Sequence, residues 1–333
     1  MDTSQGQSVL DQAYNALISI HNRGPWSVVP DGGLFHYTTA EGVLGIIQSG
    51  CLHASLAYLL NDASEVSYGC DIVLKAVAEL RKTHRASALA QRVLDDLLAG
   101  FSFQSRRATW ANSIFVACFC EKDNLLSQWR AYGEPGGYSL GMEFSTSDTK
   151  LHPEPKTYTN KLMKVVYERE AQVQTCLALL RDIADAISSD DLNSAVENQN
   201  EYSFRRYEEF YELIQDLIIE KIVAFKNPAF VEEQEWRLVA RQRQLVKQNA
   251  DDGGTSPTEL YFRTSRGLTV PYIKLIPKQG PSVPGKPGFP LKSVRFGPTL
   301  NRAKGESALR QLLEMNGFQS NIAIFGSDIP VLL

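Results

Sequence analysis

The sequence predicts an α+β fold, with mixed and antiparallel sheets, surrounding helices and a helical insert. Two observations carry this expectation. Short β-rich runs occur in both halves of the 333 residues, from LFHY at 34–37 and SIFVACFC at 113–120 to EWRLVAR at 235–241 and LKSVRFGP at 291–298. Between them lie stretches whose apolar side chains recur at helical spacing, the longest being an acidic block at 168–225. Strands in both halves with helices inserted between them read as one α+β domain. At 43% hydrophobic and 22% charged, the composition is that of an ordinary globular chain. It is long enough to bury a core without covalent staples.

In chain order, VLDQAYNALISIH (9–21) has helical spacing, and the turn-rich RGPWSVVPDGG (23–33) ends it. Residues 1–33 therefore form a leading helix and turn, and 34–333 the α+β domain with its insert at 168–225. The strand LFHY is followed by a helix that Thr38 or Thr39 can cap, with Val43, Leu44, Ile46 and Ile47 on its apolar face and Gly50 at its C-terminal stop. CLHAS (51–55) is a second short strand, and 63–100 is mostly helical. SIFVACFC is apolar on both faces and reads as a central strand. LLSQWRAYG (125–133) fits a short helix, GEPGG a turn, and YSLGMEF (138–144) and KLMKVVY (161–167) two strands. After the acidic helices come EWRLVAR, TELYFR (258–263), VPYIKLI (270–276) and LKSVRFGP as strands. KQGPSVPGKPGFP (278–290) is a loop, 301–315 a helix and NIAIF (321–325) a last strand.

Several classes of protein lose their support. No window has the roughly 20 apolar residues of a membrane span, and the N-terminal segment lacks the basic and apolar regions of a signal peptide. The five cysteines are scattered in apolar settings, as reduced core thiols of a cytoplasmic protein would be. The histidines at 21, 36, 53, 84 and 152 follow no zinc spacing, and Cys118 and Cys120 have no second ligand pair, so no metal is expected. Phosphate-loop, dinucleotide and nucleophile-elbow motifs are absent. Net charge is −4, but it is uneven, with an acidic excess of 6 over 151–225 and a basic excess of 6 over 226–333. An acidic chain is a poor general DNA binder, although local basic groups can still hold phosphates.

Four stretches can carry chemistry. His36, Tyr37 and Thr38 put three hydrogen-bonding side chains at the end of a strand just before a helix, where an anionic or hydroxylated ligand fits; a cap and a core histidine would give the same residues. Asn61 or Asp62 with Glu65 has capping-box spacing and reads as structural. Trp129 and Tyr132 are three apart on a helix and Tyr138 follows a glycine turn, which makes either a stacking surface for a flat ring or an aromatic core cluster. On a strand, Glu233, Glu235 and Arg237 alternate onto one face while Trp236 and Leu238 take the other. If that face lines a cleft, a carboxylate can stabilise developing positive charge while Arg237 holds an anion.

Taken in series, these stretches resemble a bacterial family known as domain of unknown function 2971. The residues are His36-Tyr37-Thr38, Asn61-Asp62-x-x-Glu65, Ser127-x-Trp129-x-x-Tyr132 with Gly137-Tyr138, Glu233-x-Glu235-x-Arg237, and Gly297-Pro298. The likeness runs from about residue 34 to the end, with no motif in 168–225. A more distant resemblance, to the ADP-ribosyltransferase superfamily, rests on the first-strand His-Tyr-Thr, an aromatic near a middle strand and a late Glu-x-Glu. It implies NAD as substrate, with His36 on ribose hydroxyls, Tyr138 or Tyr132 on nicotinamide, Glu235 beside the ribosyl cation and Glu233 on the acceptor side. Tyr37, Thr38, Trp129 and Arg237 complete the nucleotide site. The Ser-Thr-Ser signature of one transferase branch is absent.

The expectation is thus an NAD-dependent transferase, a toxin or defence effector in kind, acting on an acceptor that the sequence does not identify. Arg237, Arg263, Arg266 and Arg295 are the basic groups offered to its pyrophosphate. The alternative is a non-catalytic nucleotide-sensing or protein-interaction module that docks through the acidic helices. Nucleic-acid binding through Arg81, Lys82, Arg85, Arg92, Arg106 and Arg107 is the weakest reading, because their surroundings are acidic.

Overall fold

The computed structural model describes residues 3–22, 32–59, 64–102, 114–133, 136–144, 158–188, 201–242, 260–265, 267–275, 290–318 and 321–330. In chain order its elements are α1 (Thr3–Asn22), β1 (Leu34–Thr39), α2 (Ala40–Ser49), β2 (Leu52–Leu56), α3 (Ser64–Thr83), α4 (Ala88–Ser102), β3 (Ile114–Cys120) and α5 (Leu126–Tyr132). They continue with β4 (Gly137–Met142), β5 (Tyr158–Lys164), α6 (Arg169–Ala186), α7 (Glu201–Ile222) and β6 (Glu235–Gln242). The last are β7 (Tyr261–Ser265), β8 (Leu268–Leu275), β9 (Leu291–Phe296), α8 (Arg302–Met315) and β10 (Ala323–Gly326). The fold is α+β, as expected, with a mixed and mostly antiparallel sheet.

The chain divides into two compact units. The helical unit comprises Met1–Pro25, Asn61–Asn112 and Val166–Pro228. The block at 168–225, expected to be a separate insert in a domain spanning 34–333, belongs here together with the leading helix and the helices after residue 63. The spacing of Val73, Ala76, Val77 and Leu80 on α3 explains why: all four are buried, and they join Leu17 of α1, Leu180 and Ile183 of α6 and Ile214 and Ile218 of α7 in one core. Helix α6 starts where the Glu168 carboxylate accepts from the amides of Glu170 (3.2 Å) and Ala171.

The sheet unit comprises Trp26–Leu60, Ser113–Val165 and Ala229–Leu333. Its strand order is β10-β9-β4-β1-β3-β2-β8-β7, with β6 on β3 and β5 on β6. The β10–β9 pair is parallel and the other pairs are antiparallel. A strand has two hydrogen-bonding edges, and β3 has three partners. The whole of one edge goes to β6, from Ile114↔Arg241 to Cys120↔Glu235. The other edge is shared in tandem: β1 holds it at Phe35↔Cys120, and β2 at Ser55↔Val116 and Leu56↔Phe115. β1 otherwise pairs with β4, and β2 with β8, so the sheet forks along β3.

One face of the sheet carries the core, with Leu34, Leu52, Ala54, Phe115, Phe119, Leu140, Trp236 and Leu238 under Val43, Ile46 and Ile47 of α2 and Leu309 and Leu313 of α8. The opposite face carries a small cluster of Tyr37, Cys120 and Trp129.

Candidate functional site

His36 sits at the fork. Its Nδ1 lies 2.8 Å from the Cys118 carbonyl oxygen. A carbonyl only accepts, so Nδ1 carries the proton and Nε2 of the neutral ring is an acceptor. Burial holds the imidazole below its usual titration range, against the Cys118 bond and with a smaller push from Arg263. The ring packs against Phe119, with centroids 5.7 Å apart.

Beside it, β2 presents Leu52, Ala54 and Leu56 to the core and turns His53 and Ser55 to the opposite face. The registers His53↔Lys274, Ser55↔Tyr272, Tyr261↔Tyr272 and Arg263↔Val270 continue that face across β8 and β7. Arg263 Nη2 donates to Ser55 Oγ at 2.9 Å. The His53 ring lies 4.6 Å from that of Tyr272, which stacks at 5.5 Å on Tyr261. Lys274 Nζ stands 4.0 Å above the Tyr261 ring. Burial, with smaller repulsions from Arg263, Lys274 and His36, pushes His53 down to about 4. Its Nε2 is buried and has no hydrogen-bond partner among the described residues. Sequence reasoning passed over His53 and Ser55, although the period-2 alternation of LHASL was a sufficient signal for their shared face.

On the far side of β3, Glu235 and Arg237 share a face, and Trp236 and Leu238 enter the core, as the alternation required. Arg237 Nε and Nη2 donate to Glu235 Oε1 and Oε2 at 2.8 and 3.0 Å, and both side chains are buried. Glu233 lies before the strand, which begins at Glu235. It ends a 3-10 turn at Pro228–Glu233, and Gln234, with φ of 44°, redirects the chain before the strand begins. The strand therefore holds two of the three, while the Glu233 charge still acts on Cys120, the residue level with Glu235. Glu235 is level with Cys120, and His36 adjoins Phe119, whose side chain points to the other face. The two residues are thus separated by two strand spacings, on the order of 10 Å.

The other expected site residues divide between the two faces. Thr39, not Thr38, caps α2, its Oγ1 accepting from Gly42 N at 3.2 Å; Thr38 Oγ1 instead covers Gly42. The Tyr37 hydroxyl donates to Lys122 O (2.8 Å) and accepts from Leu125 N (2.9 Å), while Trp129 packs edge-on against its ring at 4.7 Å. Trp129 Nε1 donates to Asn124 Oδ1, and Tyr132 packs in the same cluster. Tyr138 belongs to the core face, 5.0 Å from Phe296, so the three aromatics form no common stacking surface. Among the basic groups, Arg237 is held by Glu235, and Arg295 by Asp123 at 2.6–2.9 Å. Of the four offered to a pyrophosphate, Arg263 is the one without a carboxylate among the described residues; Arg266 lies outside them.

In the helical unit, Glu65 pairs with Lys226 at 3.2 Å. Asn61 and Asp62 lie outside the described residues, as do Arg106 and Arg107. Arg81 pairs with Asp95, and Lys82 with Glu79. No helix among the described residues is long and apolar enough to cross a membrane. Nor do they hold a group of three metal-ligating side chains.

Fold and site together describe an α+β protein with a forked, mostly antiparallel sheet and polar side chains at the fork. Residues 128–238 match the family model described as a protein of unknown function, DUF2971. The match takes in Trp129, Tyr132, Tyr138 and the Glu233–Arg237 stretch. It is narrower than the likeness expected from residue 34 onward. No curated protein and no solved structure matches the chain.

Proposed function

We propose that this chain is an ADP-ribosyltransferase-like enzyme that takes NAD as a substrate, with the fork of the sheet as its nucleotide site. The observation that supports this reading is the fixed tautomer of His36. With Nδ1 committed to the Cys118 carbonyl, Nε2 is an acceptor suited to a sugar hydroxyl. Breaking the nicotinamide–ribose bond sends its electron pair out with nicotinamide and leaves an oxocarbenium-like centre. An acceptor nucleophile then bonds to that carbon and gives up a proton. The resemblance assigns the cation to Glu235, which Arg237 holds, and the acceptor side to Glu233, in the turn before β6. With Glu235 two strand spacings from His36, this role requires the nucleotide to reach across β3 from the fork to β6. The acceptor is a protein, a nucleic acid or a small molecule.

A specific feature favours a second reading, a nucleotide-sensing module. Both oxygens of Glu235 are already engaged by Arg237, an arrangement that serves binding without turnover. Incubating purified protein with NAD, beside a Glu235→Gln variant, separates the two. Nicotinamide release by wild type that is lost in the variant is the transferase result, and NAD binding without release is the sensor result. If NAD does not bind, both readings fail.

A further inference from the structure

We propose that the face formed by β2, β8 and β7 is a phosphate-binding site, with Arg263 and Lys274 as its cations and His53 as a further donor. Placing the nucleotide's diphosphate there rests on the reading above, whereas binding of phosphate itself does not.

Three strand registers put the participants on one face. His53 is level with Lys274, Ser55 with Tyr272, and Tyr272 with Tyr261, two residues before Arg263. The face carries two positive charges, and no carboxylate pairs with either among the described residues. Several basic side chains elsewhere are answered: Arg237 by Glu235, Arg295 by Asp123, Arg302 and Arg310 by Glu306, Lys226 by Glu65. Bringing Arg263 and Lys274 together costs repulsion that an anion would offset.

The cations are also positioned. Arg263 gives one N–H to the buried Ser55 hydroxyl, which fixes the fork of the guanidinium and leaves further N–H groups for a second acceptor. Tyr261 carries the Lys274 ammonium on its ring and is itself stacked on Tyr272, which leans on His53. This run of rings gives the flexible lysine a platform. The remaining group points to a ligand independently. Among the described residues His53 Nε2 is buried without a partner, and a buried polar nitrogen left unpaired costs about 1–3 kcal/mol. A phosphate oxygen accepting from that nitrogen would meet its need. The neighbouring cations would gain from the same oxygens.

The test is a calorimetric titration of the full chain with inorganic pyrophosphate, and separately with NAD, for wild type, Arg263→Gln and Lys274→Met. Lys292→Met is the charge-matched control, since Lys292 is exposed and paired with Glu143. Each of the first two variants should weaken pyrophosphate about tenfold or more, and the control should not. Equal losses in all three would reduce the effect to net charge and overturn the proposal, as would a wild type that binds no pyrophosphate. Pyrophosphate binding lost in Arg263→Gln, in a protein that ignores NAD, would uphold the phosphate site and reject NAD as its ligand. NAD affinity unchanged in Arg263→Gln would leave the NAD reading standing and overturn the placing of its diphosphate on this face.

Discussion

Two groups of polar side chains inside this protein are built differently. In the helical unit, Lys226 pairs with Glu65, while Gln172, fully buried, donates to the carbonyls of Val166 (2.6 Å) and Lys226 (2.9 Å) and accepts from the Tyr68 hydroxyl at 2.7 Å. At the fork of the sheet, among the described residues, His53 Nε2 has no partner, His36 keeps one ring nitrogen as an acceptor, and Arg263 and Lys274 face no carboxylate. The first arrangement is complete in itself and holds helices together. The second becomes complete with something bound. Partner satisfaction, rather than residue type, separates scaffold from site.

The comparison can be broken most forcefully on its helical side. Lys226→Met removes the cation that stands 3.2 Å from the Glu65 carboxylate, itself 11% exposed, and should cost about 3 kcal/mol in urea unfolding. Adding Glu65→Leu should restore much of the loss, because the buried carboxylate is then gone as well. A single variant as stable as wild type would mean that the pair is not part of the scaffold.

Acidification sharpens the sheet side. The folded protein holds His36 and His53 below their usual range, so the unfolded chain binds more protons and stability rises with pH. Both contributions are complete above about pH 6.5 and are lost as pH falls below it, that of His53 as pH falls towards 4, at up to about 1.4 kcal/mol per unit for each group. A His53→Gln variant should show a shallower loss over that window. An unchanged slope would contradict the burial of the imidazole.

Smaller effects follow. Thr39→Ala removes the cap of α2, the helix that leads out of β1, and should cost about 1 kcal/mol by thermal or urea unfolding. Thr38→Ser keeps the hydroxyl over Gly42 and should cost less. The smallest stability change belongs to Arg263→Gln, within about 0.5 kcal/mol and of either sign. Removing a cation without a carboxylate partner deprives the fold of little, in contrast to Lys226. A loss as large as that of Lys226→Met would place Arg263 in the scaffold and erase the distinction.

Much of the fold is legible in local patterns. Val73, Ala76, Val77 and Leu80 announce the buried stripe of α3, and the glycine at 50, with φ of 64°, ends α2 where a left-handed stop was read. The alternation at 235–238 sorts Glu235 and Arg237 from Trp236 and Leu238 correctly. It stops one residue earlier, because the backbone of Gln234 turns and leaves Glu233 in the preceding 3-10 turn, which side-chain spacing cannot reveal. The fork is equally hidden. It arises because β1 and β2, joined by α2, share one edge of β3, which follows only after α3 and α4, a long-range matter with no local signature. For the same reason His53 and Arg263 were seen as a lone histidine and one arginine of four, although strand pairing puts them on one face.

The central claim is that the fork is a ligand site with His36 Nε2 as an acceptor. Nitrogen-15 NMR of imidazole-labelled protein, titrated with NAD, tests it most directly. Without ligand, the account predicts His36 as the neutral Nδ1-H tautomer at pH 7; with NAD, its Nε2 resonance should shift while Nδ1 stays bonded. A His36 that is protonated or carries its proton on Nε2, or a spectrum in which NAD moves neither His36 nor His53, would contradict it.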